Sequence, residues 1–158
     1  MKKMMLNRQM SREENCMIKS IDVSDKRFFN TITEVMNECF AKNYKGCMKA
    51  FLPQKNDVVA WFPKLAIKRG DSYVASSRSQ GWVNVLTADE EMLIEENPND
   101  NRGPISDIEI LPRYTFAYYE GVGYKFIGVF ELDVNLCKNR HREYRRTSTH
   151  ADLSYYWS

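Results

Sequence analysis

The stretch RYTFAYYEGVGYKFIGVFEL, residues 113–132, constrains the fold more than any other part of the chain. Two runs dense in aromatic and β-branched residues, 113–119 and 124–132, flank Glu120-Gly121-Val122-Gly123, a short glycine-bearing link of the kind that joins antiparallel strands. In the second run Phe126 and Phe130 alternate with Ile127 and Val129, the pattern of a strand between two packed faces. Further segments of this type are residues 57–62 (DVVAWF), which end at Pro63, residues 81–86 (GWVNVL), and residues 92–95, which pair with 81–86 across Thr87-Ala88-Asp89-Glu90. That second hairpin brings Glu95 toward Trp82. Residues 97–102 (NPNDNR), with Gly103 and Pro104, read as the loop between the two strand groups.

One helix is expected from Ser24 onward. Phe28, Ile32, Val35, Met36, Cys39 and Phe40 fall at helical spacing, Ser24 or Asp25 is available as N-cap, and Gly46 lies beyond the end. Its apolar stripe reads as a core-facing seam rather than a ligand box. Helix and strand group together give an α+β chain. At 158 residues it is long enough for one well-buried domain, taken as 24–158, with a polar, methionine-rich, flexible N-terminal arm over 1–23.

Cys16, Cys39, Cys47 and Cys137 form no CxxC pair and only two histidines accompany them, so neither a zinc site, a disulfide framework nor any other cofactor is expected. Arg8, Arg12, Glu13 and Glu14 interrupt any signal-like apolar run, and no stretch reaches membrane-spanning length; the cytoplasm is the default location. Clustered carboxylates with a lysine, a P-loop, GxGxxG and GxSxG are all missing together, which favours binding over catalysis.

The formal net charge of +2 makes no global case for a nucleic-acid partner, but the charges are segregated along the chain. Residues 138–146 (KNRHREYRR) hold Lys138, Arg140, Arg142, Arg145 and Arg146 against one glutamate, whereas 89–100 hold six acidic residues and no basic one. The basic block reads either as a solvated face or, with Tyr144 and the tail Tyr155-Tyr156-Trp157 interleaving rings and cations, as a nucleic-acid backbone surface. Arg113, at the head of an aromatic strand, is a further candidate for phosphate contact, as are Lys68, Arg69 and Arg78.

In GWVNVL the strand alternation puts Trp82, Asn84 and Leu86 on one face and Val83 and Val85 on the other. An indole and a carboxamide both need hydrogen-bond partners where they are shielded from water, so the pair belongs either to ordinary core packing or to a ligand pocket.

The succession VVAWFPKL (58–65), GWVNVLTADEEMLIEE (81–96) and YKFIGVFELD (124–133) resembles the C-terminal domain of PvuRts-type modification-dependent restriction endonucleases. The resemblance implies an SRA-like member of the PUA-like superfamily, a curved β-barrel with flanking helices that receives a base flipped out of the duplex. It also implies a base pocket at Trp82, Asn84 and Glu95, with Trp61, Phe62 and Pro63 as scaffold. An indole can wall in a flipped base, a carboxylate can accept from cytosine's exocyclic amine, and a carboxamide can both donate and accept at a base edge or a hydroxymethyl group. In the family the nuclease domain precedes this module, and with only residues up to Val23 ahead of the helical segment no nuclease half is expected. The expectation is therefore a standalone, non-catalytic reader of hydroxymethylated or otherwise modified cytosine in DNA. Competing readings are a PUA-like RNA-binding module, and a phage or mobile-element protein that inhibits a defence enzyme through its acidic region 89–100.

Overall fold

The computed structural model describes residues 17–76, 80–99, 101 and 103–158. In chain order they form β1 (Ser20–Asp22), helix α1 (Ile32–Cys39), β2 (Phe51–Pro53), β3 (Val59–Trp61), β4 (Ile67–Arg69) and β5 (Ser72–Val74). Then come β6 (Val83–Leu86), β7 (Met92–Glu96), β8 (Arg113–Tyr119), β9 (Gly123–Leu132), β10 (His141–Ser148) and β11 (His150–Asp152), with short 3₁₀ turns at Asp107–Ile110, Val134–Leu136 and Ser154–Trp157. No helix among the described residues is long and apolar enough to cross a membrane.

The helix begins later than its apolar spacing predicts. Thr31 is the N-cap, its hydroxyl accepting from Glu34 N at 3.1 Å, while the Glu34 carboxylate accepts from Asn30 N at 3.0 Å. Phe29 is extended instead, exchanging two backbone hydrogen bonds with Tyr124 at 2.7 and 2.8 Å. Ile32, Val35, Met36 and Cys39 do face the core, and the helix stops at Phe40, well short of Gly46, with Ala41 in the left-handed region at φ +53°. The arm predicted to run through residue 23 is also shorter. Ser20–Asp22 pairs with β11 and Ile21 is buried, while residues 1–16 lie outside the described residues.

Seven strands form one sheet in the order β2-β3-β8-β9-β10-β7-β6. All its neighbours are antiparallel except β3 and β8, which run parallel with Val59 opposite Arg113. Both faces are covered. Phe29, Met36, Phe40, Phe62, Phe116 and Phe126 pack on the α1 side, and Trp61, Leu93, Ile127, Phe130 and Tyr144 fill the other. Phe126 and Phe130 are thus on opposite faces, contrary to simple alternation. Thr115 pairs with Gly128 and Phe116 with Phe126, so Ile127 is an extra residue, and a matching register shift lies between Arg146 and Ser148. Such bulges bend strands and increase their twist.

The bend brings the ends of the sheet toward each other. Leu65, just beyond β3, bridges to Asn84 in β6, and Lys64 bridges to Tyr118 in β8. The strand order itself remains open at β2 and β6, so the architecture is α+β, mostly β with one α-helix among the described residues, and the ladder does not close into the expected barrel.

Candidate functional site

The β6–β7 hairpin forms where its sequence predicts. In its turn Thr87 Oγ1 donates to Asp89 Oδ1 at 2.7 Å, Thr87 N donates to Met92 O at 2.9 Å, and Glu90 takes the left-handed φ of +61°. The register sets Asn84 opposite Glu95, and Glu95 is in turn opposite Arg142 in β10. Directly paired residues share a face, so Asn84, Glu95 and Arg142 form one row across three strands on the inner side of the curl. Leu86, Leu93 and Tyr144 form the next row. Trp82 stands one residue before β6, half-buried, after Gln80 and Gly81 with φ of +57° and +87°.

A cavity of about 250 Å³ opens beside this hairpin. Leu65 and Ala66 from the crossing segment, Tyr73 from β5, Asn84 and Leu86 from β6 and Tyr119 from β8 contribute to its wall. Asn84 is 3% exposed, and its Nδ2 donates to Lys64 O at 3.1 Å. Its Oδ1 is buried without a hydrogen-bond partner among the described residues. An unmet buried acceptor costs about 1–3 kcal/mol, so this position is one that a ligand donor would improve. Trp82 and Glu95 are not part of the cavity wall.

Glu95 is buried and accepts from the Tyr144 hydroxyl at 3.1 Å. Next to it the Arg113 guanidinium lies 4.4 Å from the Tyr144 ring centre, 4.5 Å from Trp61 and 5.0 Å from Phe51, and donates to Glu109 O at 3.2 Å. A cation over several ring faces is held by their quadrupoles, most strongly when desolvated. Arg142, 2% exposed, donates to Glu109 Oε1 at 3.3 Å and to Lys138 O at 2.7 Å. Burial of the Glu109 carboxyl opposes ionisation, but the Ser106 backbone N–H and the Arg142 guanidinium outweigh it and hold the group below the usual carboxylate range.

The SET and RING associated (SRA) domain model matches residues 16–153 of the chain. The chain belongs to the SRA family. In fold the domain is similar to the solved structure titled the 5-hydroxymethylcytosine-specific restriction enzyme AbaSI, at a TM-score of 0.59 and 20% identity, over 85% of this chain. It spans 42% of that enzyme chain. No curated protein matches it. Neither likeness gives support to an RNA or a protein partner.

Within the SRA domain the basic block is not the open surface its composition suggests. From His141 onward it lies in β10, an interior strand between β7 and β9. The burial of Arg113 and Arg142 corrects their reading as backbone contacts, since neither guanidinium is open to a phosphate. Arg146 pairs with Glu91 at 3.1 Å and Arg145 with Asp133 at 3.1 Å; Lys138 and Arg140 are exposed. The acidic and basic stretches therefore meet on adjacent strands, where Arg146 pairs with Glu91 and His141 with Glu96, instead of forming opposite faces. The aromatic tail is docked as well. Tyr156 donates to Asn56 at 2.8 Å and packs 4.9 Å from Phe40, and Trp157 Nε1 donates to Ile18 O at 2.8 Å. Lys68 and Arg69 are exposed on β4, and Arg78 lies outside the described residues. Tyr73 and Tyr119 were not singled out as site residues by sequence reasoning; the parallel β3–β8 pairing and the crossing segment that bring them to Asn84 have no local signature.

Proposed function

We propose that this SRA domain is a non-catalytic reader of modified cytosine in DNA, with the base received in the cavity beside Asn84. The observation that carries the reading is the buried Asn84 Oδ1, an acceptor with no partner among the described residues, in the wall of a cavity flanked by Tyr73 and Tyr119. The exocyclic amine of cytosine, or a hydroxyl carried on its ring, would supply the missing donor. The cavity is smaller than the roughly 300–1,000 Å³ typical of drug-sized ligands, in keeping with a single base. Family membership and a fold neighbour titled as specific for 5-hydroxymethylcytosine support a modified cytosine over a plain one.

In this reading Trp82, Asn84 and Glu95 are the base-binding set, but with unequal roles. Asn84 makes the direct contact. Glu95, opposite Asn84 and tied to Tyr144, fixes the floor beneath it, and Trp82 walls the end of the strand. Lys138, Arg140 and Arg145 are the exposed members of the basic block, open to a DNA backbone. The test is a binding screen with duplexes carrying unmodified, methylated, hydroxymethylated and glucosylated cytosine. Preference for a modified duplex, lost in Asn84→Ala while the fold is retained, is the expected result; equal binding of all four by the wild-type chain would refute the reading.

A further inference from the structure

Residues 41–50 (AKNYKGCMKA) carry three lysines and no acidic residue. The loop is built, not trailing. Lys42 N donates to Met36 O at 3.2 Å, Asn37 clamps Tyr44 through both its backbone groups at 2.8 and 2.9 Å, and Cys47 N donates to Thr33 Oγ1 at 2.8 Å. These anchors leave Met48 84% exposed, more than any other large apolar side chain among the described residues, with exposed Lys45 and Lys49 on either side. A methionine so placed adds nothing to the core, and its unbranched thioether chain adapts readily to an apolar surface brought against it.

The loop also lies at the right end of the sheet. Phe51 pairs with Trp61 in antiparallel register, and Ala50 O accepts from Phe62 N at 2.8 Å. The loop therefore joins the sheet at the end of β3 from which the chain continues through Lys64 to Leu65 and Ala66, the cavity wall.

We propose that residues 41–50 are a second DNA-contacting element, in which Lys45 and Lys49 neutralise phosphates of the duplex flanking the bound base and Met48 wedges against a base step. Charge complementarity selects the partner, because the segment is wholly basic in a chain whose net charge is only +2. Apolar side chains are used as wedges of this kind where proteins open or bend a duplex. The proposal rests on the DNA-reader function, and the measurements below separate the two.

Full-length wild type, Lys45→Ala/Lys49→Ala, Met48→Ala and Asn84→Ala are titrated by fluorescence anisotropy against plain and hydroxymethylated duplexes over a series of KCl concentrations. The double lysine variant is expected to bind both duplexes about tenfold more weakly, keep the wild-type preference, and show a salt slope smaller by about 1.8, the value for two lost phosphate contacts. Met48→Ala weakens both complexes severalfold with the slope intact, whereas Asn84→Ala loses the preference and keeps the slope. Wild-type affinity and slope in the double variant overturn the loop proposal while leaving the reader function standing. A reduced slope with no wild-type preference overturns the reader function alone, and absence of duplex binding at every salt concentration overturns both. Binding to phosphatidylserine vesicles that depends on Met48, with no change in DNA slope, would assign the loop to a membrane surface instead and also overturn the proposal.

Discussion

Tyr144 donates its hydroxyl to Glu95 Oε1 at 3.1 Å from the strand on the opposite side of β7 to Asn84, so the residue facing the proposed base contact is fixed from below. Tyr144→Phe keeps the ring against Trp61 and Arg113 and removes only this donor. The expected loss is about 1–3 kcal/mol in urea unfolding, with a matching fall in preference for modified DNA if Glu95 positions Asn84. An unchanged midpoint would show that the bond contributes nothing to the fold.

Gly128 has φ of +125°, and a Cβ there would come within 2.5 Å of Arg146 Cδ and 2.8 Å of Ser148 O. The side chain of Arg146 could move, but the Ser148 carbonyl belongs to the paired strand. Gly128→Ala is therefore expected to cost about 1–3 kcal/mol or more from backbone strain alone, and to flatten the bend that the bulges impose. Thermal unfolding within a degree of wild type would contradict this.

His141 links the ends of β7 and β10, with Nδ1 2.7 Å from Glu96 and Nε2 3.0 Å from Glu143. The hydrogen bond to Glu143 is the largest influence raising its pKa above the ordinary imidazole value; slight burial opposes this and Glu96 adds to the rise. A raised folded-state value means that its stabilisation is full below the ordinary value of about 6.5 and is lost as pH climbs through the higher folded value. The difference in urea midpoint between wild type and His141→Gln should thus shrink from pH 6 to pH 9. A difference that stays constant across that range would rule out the linkage.

Trp157 belongs to the fold through its bond to Ile18 O. Trp157→Ala should lower stability by about 1–3 kcal/mol, in line with loss of a half-buried aromatic, and leave the salt slope of DNA binding unaltered. A slope reduced without destabilisation would return the tail to the DNA surface.

The strands with local signatures were legible in the sequence. Arg113–Tyr119 forms as its aromatic run indicates, β9 begins one residue early at Gly123, and the GWVNVL hairpin forms but sets Glu95 opposite Asn84, where its neighbour was expected to be Trp82. The helix start was written in the chain as Thr31-x-x-Glu34, but the apolar stripe beginning at Phe28 obscured it. The strand character of β10 was hidden by its charge. Arg142 is inward-facing where Glu109 and the Lys138 and Gly103 carbonyls receive its guanidinium, and nothing near it in sequence foretells Glu109. The extra residue at Ile127 was likewise invisible, since an alternating apolar run reads the same with or without a bulge. Tyr73 and Tyr119 meet Asn84 through long-range closure alone.

That closure depends on the one parallel pair in the sheet. β3 is complete by Trp61 but cannot gain its β8 neighbour until residue 113 and beyond exist, and parallel pairing across such a separation is slow to form. Leu65, just past β3, and Tyr119, the last residue of β8, both wall the cavity. The β6–β7 hairpin pairs residues near in sequence to present Asn84, whereas the cavity around it also needs the long-range β3–β8 pair. Ligand protection of the Leu65 and Asn84 amides from hydrogen exchange would accordingly report on more than the hairpin, and a base bound at the proposed site would clasp β6 to the segment beyond β3.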